Sequence, residues 1–181
     1  MRIAQCKLIA RCRFVACLAL CTLQFAFCIC VLHAETIDRV LAVVNGSVIT
    51  LSDVTAARDL GIVSAGNAAD PVRAILSSLI DRTLELSEVD RYAPPEPTAD
   101  ALAREVESVR TRFPTAAAFA AALARSGMDL PRLREVLRDD LRIRAYLDQR
   151  FVATADRRQQ LVADWLAGLH RRAELTDLLG P

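Results

Sequence analysis

Beyond residue 34 the chain has no cysteine and no lysine. All six cysteines (Cys6, Cys12, Cys17, Cys21, Cys28 and Cys30) and the single lysine, Lys7, come earlier. The rest of the sequence therefore offers no disulfide framework, thiol nucleophile or thiolate metal site. It also lacks the amine for a Schiff base or a phosphate-binding loop. One histidine, His170, is left there, and no Gly-x-Ser-x-Gly elbow exists to draw it into a triad. Nor is there an excess of positive charge. Past residue 34 nineteen arginines face 22 acids, which leaves no basic footprint for nucleic acid. No metal-ligand spacing survives, and no cofactor is expected.

The first 34 residues carry the order of a secretory signal. Arg2, Lys7, Arg11 and Arg13 precede an apolar run from Phe14 to Leu32, broken only by Thr22 and Gln24, and no acid appears before Glu35. Leu32-His33-Ala34 resembles a cleavage site, so the cut is expected between Ala34 and Glu35. The alternative is an uncleaved anchor, since the run is roughly long enough to cross a bilayer core. The predicted location is the periplasm, with membrane contact only through this segment.

The remainder of the chain reads as mainly α with a small sheet. Ile37 to Val44 is β-branched and predicts a strand. Asn45-Gly46 supplies a tight turn, and Ser47-Val48-Ile49 a short return. Thr50 and Asp53 form a capping box for a helix to about Leu60, ended by Gly61. Asp70-Pro71 opens a helix to Tyr92, whose stripe is Val72, Ile75, Leu76, Leu79, Ile80 and Leu84. Pro94, Pro95 and Pro97 break the chain. Thr98 caps a helix to about Arg112, with Leu102, Val106, Val109 and Phe113 on one face. Ala116 to Arg125 is helical by propensity. Asp129 and Pro131 open a long helix to Phe151, with Leu133, Leu137, Leu141 and Leu147 in line and Val136 and Ile143 beside them. Thr154 caps a last helix to about Arg171, with Leu161, Val162, Trp165, Leu166 and Leu169 as its buried face. Ala173 to Leu179 predicts a final strand. The organisation expected is a leader (1–34), a helical core (35–153) and a C-terminal helix and strand (154–181) that pack back on it.

Few residues hint at chemistry. Asp139-Asp140 is an adjacent acid pair. Each acid has an arginine within one helical turn, Arg142 for Asp139 and Arg144 for Asp140, so a solvated, ion-paired face is expected. His170, near a helix C-terminus, reads as a surface or capping cation. Trp165 reads as core.

Several segments together resemble one family. Ile37 to Thr50, ending Asn-Gly-Ser-Val-Ile-Thr, is similar to the opening of SurA-type periplasmic chaperones. Leu76 to Leu86 resembles that family's "L-x-x-L-I-D-x-x-L" helix. Phe113-Pro114-Thr115 with Phe119, Leu123 and Gly127 resembles its "F-P-s-x-x-x-F" helix, and Leu133 to Phe151 its long closing helix. Trp165-Leu166 with Arg171 to Leu175 is similar to its last helix and strand. The resemblance implies a SurA N-terminal-like helical domain, with the last strand paired to the first near Arg39 to Val44. In the family, parvulin isomerase domains stand between the long helix and the C-terminal helix. Here only Val152 to Thr154 separate them, so isomerase activity is not implied and no enzyme is expected. What the resemblance implies is an ATP-independent chaperone for unfolded outer-membrane polypeptides, held in an apolar groove near Phe113, Phe119, Met128 and Leu130. The alternative is a non-catalytic module that binds one dedicated partner or homodimerises.

Overall fold

Asn45 and Gly46 both take positive φ, 49° and 85°. That pair makes the mirror-type turn whose twist suits a hairpin. It joins β1 (Val40–Val44) to β2 (Ser47–Thr50). Val44 pairs with Ser47, Val43 with Val48 and Ala42 with Ile49, and a bulge near the start of β1 sets Val40 against Thr50. The computed structural model describes residues 38–180. The leader over 1–34, its cut between Ala34 and Glu35, and the strand's expected start at Ile37 lie outside the described residues.

Six helices come next: α1 (Leu51–Asp59), α2 (Pro71–Tyr92), α3 (Ala99–Arg110), α4 (Ala116–Arg125), α5 (Leu130–Arg150) and α6 (Ala155–Arg172). Five begin on a side-chain cap: Thr50, Asp70, Thr98, Thr115 and Asp129 each accept the N–H three residues on. At α1 the box is reciprocal, with Thr50 N donating to Asp53 Oδ2 at 2.9 Å. Thr154 stands at the equivalent place before α6 but makes no cap bond. The two sites predict different outcomes. Asp70→Ala is expected to lower stability by about 1 kcal/mol in urea melts, whereas Thr154→Ala stays within about 0.5 kcal/mol.

β3 (Leu175–Asp177) runs antiparallel along the free side of β1, with Val43 opposite Thr176. The sheet order is β2-β1-β3. The protein is therefore mainly α with a small antiparallel sheet. β3 is shorter than Ala173 to Leu179 because Leu179 N turns to the Asp177 carboxylate at 2.9 Å and leaves the ladder. Helix α3 ends two residues early. Arg112 leaves it and donates from its guanidinium to the carbonyls of Leu60 and Gly61, acceptors left open past the end of α1.

The apolar residues gather in two large clusters and one small one. Leu41, Ala42, Val44 and Ile49 on one face of the sheet meet Ile75, Leu76, Ile80 and Leu84 of α2 and Leu169 of α6. Leu60, Val109, Phe119, Ala122, Leu123, Leu133 and Leu137 form the second. Val89, Ile143 and Tyr146 form the third, with Trp165 against it. Of the expected face of α6, Leu169 is buried, while Leu161, Val162, Trp165 and Leu166 are half-buried. Among the described residues no helix is long and apolar enough to cross a membrane.

Candidate functional site

A strand edge that is unpaired among the described residues, the outer edge of β2, is the first element of the site. Val44 and Ser47 flank a two-residue turn, so they exchange both of their hydrogen bonds. Alternation then turns the N–H and C=O of Val48 away from β1. Val48 is 53% exposed. Beside this edge β2, α1, α2 and α5 surround a crevice of about 340 Å³, a size within the range of small-ligand pockets. Its apolar lining comes from Val48, Ile49, Ala57, Ile62, Leu79, Leu86, Met128 and Val136, and charge enters from Asp53, Arg82, Arg132 and Asp139.

Of the four residues expected at a peptide-binding surface, all lie at the second apolar cluster. Phe119 is 8% exposed and belongs to it, with Phe113, Met128 and Leu130 packed against it. The Phe113 and Phe119 rings stand 5.6 Å apart. Met128 also lines the crevice. The β2 edge and the Leu79–Thr83–Leu86 face of α2 were not expected there. Their signal was present: Leu79, Thr83 and Leu86 recur at spacings of four and three, which puts them on one helix face.

Arg82 forms one wall of the crevice, and its pairing corrects the expectation for Asp139-Asp140. Its Nε lies 2.6 Å from Asp140 Oδ1, one Nη lies 3.7 Å from Asp139 Oδ2, and the same Nη donates to Val136 O at 2.8 Å. The acid pair is thus not a solvated face but a half-buried tie between α2 and α5. Arg142 does reach Asp139, at 3.7 Å, but its closer partner is Asp90 at 2.8 Å. Arg144 turns to Glu105 at 3.0 Å instead of the Asp140 carboxylate. Burial raises the Asp139 carboxyl above the usual range, while Arg82 and Arg142 pull it back.

His170 is corrected in the same way. It is not a free surface cation: its Nε2 sits 2.6 Å from Asp81 Oδ1, half-buried, and ties α6 to α2. One turn along α2 from Asp81 is Glu85. Burial, then the charges of Asp81 and Asp140, push its carboxyl up to about 7, against a smaller opposing pull from Arg82. Glu85 lines a second cavity of about 470 Å³, which shares Ile62 and Arg82 with the crevice. Among the described residues no group of His, Cys, Asp and Glu is placed to hold a metal ion. What the arrangement can do is bury apolar side chains beside an open backbone edge, with Arg82 paired to Asp139 and Arg132 to Glu135 at the crevice wall.

Comparison with protein-family models and with curated proteins returns no match.

Proposed function

We infer that the chain is an exported, ATP-independent chaperone that holds unfolded polypeptides, those of outer-membrane proteins in particular, in the crevice beside β2. The observation that carries this reading is the conjunction of a crevice of mixed apolar and charged lining with the outward N–H and C=O of Val48. An extended client segment can pair with the strand edge and place alternate side chains in the crevice. Apolar burial at about 25 cal/mol per Å² supplies the affinity. Weak, adaptable contacts suit many clients, and no step needs a nucleophile or ATP. The sequence resemblance to SurA-type chaperones supports the same assignment.

The test is suppression of aggregation for several unrelated unfolded outer-membrane proteins diluted from denaturant. Val48→Asp puts a charge on the exposed edge, where it costs little stability. It is expected to weaken client binding about tenfold, from the roughly 1–1.5 kcal/mol of valine burial forfeited, with an unchanged melting temperature. No suppression of any client, or an unaffected Val48→Asp variant, removes the chaperone assignment. Proline isomerisation above background removes its non-enzymatic part.

The second reading, a module that binds one partner or a second copy, draws on the other sheet edge. Leu175 and Leu178 are exposed at β3, and an open edge of this kind is a template for another strand. Sedimentation over a range of concentrations, together with recovery of one stoichiometric partner without holdase activity, separates it from the first.

A further inference from the structure

The C-terminal ends of α2 and α5 meet α6 at a group of aromatic rings. The Tyr92 and Tyr146 centroids are 5.5 Å apart, Tyr146 and Trp165 5.9 Å, and Phe151 and Trp165 5.6 Å. Arg150, the last residue of α5, places its guanidinium carbon 5.8 Å from the Tyr92 centroid, 5.7 Å from Tyr146 and 5.6 Å from Phe151. All three distances fall within the reach of a cation–π contact. Tyr92, Tyr146 and Phe151 thus pack around a cation supplied by the chain itself.

Two further observations mark the place as a binding site as well as a helix end. Tyr146 is 6% exposed, and among the described residues its buried hydroxyl makes no well-formed hydrogen bond, with the Arg150 side chain as its polar neighbour. Unpaired buried polar groups are rare in folded proteins and call for a specific explanation; a donor or acceptor brought in by a guest supplies one. The outer wall is open, since Tyr92 is 59% exposed and Arg150 is exposed as well. Arg150 can therefore leave without opening the core.

We propose that Tyr92, Tyr146 and Phe151, backed by Trp165, form an aromatic cage for the guanidinium of an arginine side chain on a bound polypeptide, with Arg150 as its built-in competitor. The resident group defines the guest: the cage already accommodates a planar cation. Arg150 holds the site at high effective concentration, so an outside cation must displace it. The cage rests on the chaperone reading only for the source of its guest. A small-molecule probe tests it separately.

Trp165 is the only tryptophan in the chain, and its fluorescence reports on the cage through Tyr146 and Phe151, against which it packs. N-acetyl-arginine amide is titrated into the full chain and into Arg150→Gln, with N-acetyl-citrulline amide as a neutral probe of the same shape. Arg150→Gln is expected to give a saturable fluorescence change with the arginine probe, at least tenfold tighter than the unmodified chain. The citrulline probe should give none, and Tyr92→Ala added to Arg150→Gln should remove the response. If Arg150→Gln loses its cooperative melt, Arg150→Met, which keeps an unbranched apolar stem over the rings, carries the same titration. No saturable change in a folded Arg150 variant, or equal responses to the two probes, overturns the cage.

Discussion

Arg82→Leu is expected to lower stability by about 2–3 kcal/mol at pH 7, and to lose most of that penalty near pH 4. Arg82 is 20% exposed and ties α2 to Asp139, Asp140 and the Val136 carbonyl of α5. Removing one partner of a buried ion pair typically costs about 3–5 kcal/mol, because a charge is left without compensation. Partial exposure of these acids reduces that figure. The pH dependence comes from the sign of the shifts. Burial already raises the Asp139 and Glu85 carboxyls, and in both the Arg82 charge opposes the rise. Without Arg82 both rise further. A carboxyl raised in the folded state loses stability as pH climbs from its unfolded value up to its folded one, and the penalty is constant above that, so the variant suffers most at neutral pH and least in acid. Urea melts at pH 4 and pH 7 measure the difference. A penalty of the same size at both values would mean that Arg82 acts through packing alone. Replacing Asp139 and Asp140 by leucine in the same variant should recover much of the loss, since apolar substitution of a whole ion-pair group is often close to neutral.

The parts of the fold legible in the sequence are those decided within a few residues. Asp70-Pro71, Thr98 and Asp129 begin helices because a cap bonds an N–H only three positions away. Asn45-Gly46 makes its turn from its own backbone preferences. The stripe of α2 is also readable, since Ile75, Leu76, Ile80 and Leu84 are all buried. What could not be read lies across helices. Asp140 has Arg144 one turn away, yet its carboxylate bonds to Arg82, 58 positions earlier. His170 pairs with Asp81 at a separation of 89. Local spacing proposes the nearest partner, while packing decides which charges share a half-buried seam.

The buried face of α5 shows the same limit inside one helix. Spacing alone draws a single line through Leu133, Leu137, Leu141 and Leu147. The buried residues are Leu133, Leu137, Ile143 and Tyr146. The first half of α5 faces the Phe119 cluster and the second faces Val89 and Trp165, so the buried stripe steps sideways midway. The candidate site is a consequence of this arrangement. Phe113 and Phe119 draw attention as large apolar side chains, but such side chains fill cores first. The crevice is bounded instead by a strand edge and by the smaller second face of α2.

Glu85→Gln is expected to stabilise the protein at pH 8 by about 1–2 kcal/mol and to change nothing at pH 4. The Glu85 carboxyl is held at about 7, against 4.5 for a free glutamate. Below pH 4.5 it is protonated in both the folded and the unfolded chain, and the substitution is neutral. Between 4.5 and 7 the folded chain keeps a proton that the unfolded chain has released, so stability falls as pH rises. Above 7 the penalty is constant, about 3 kcal/mol by linkage alone and smaller once solvent screening of a partly exposed group is counted. Glutamine keeps the shape and removes the charge. The two melting curves should therefore converge in acid and separate through neutrality, with glutamine the higher. A constant offset across pH 4–8, or a glutamate form that is the more stable at pH 8, would show that Glu85 stays ionised beside Asp81 and Asp140. The same titration adds a negative charge to the cavity that adjoins the crevice at Ile62 and Arg82. Client binding measured on both sides of pH 7 should differ in the unmodified protein and not in Glu85→Gln.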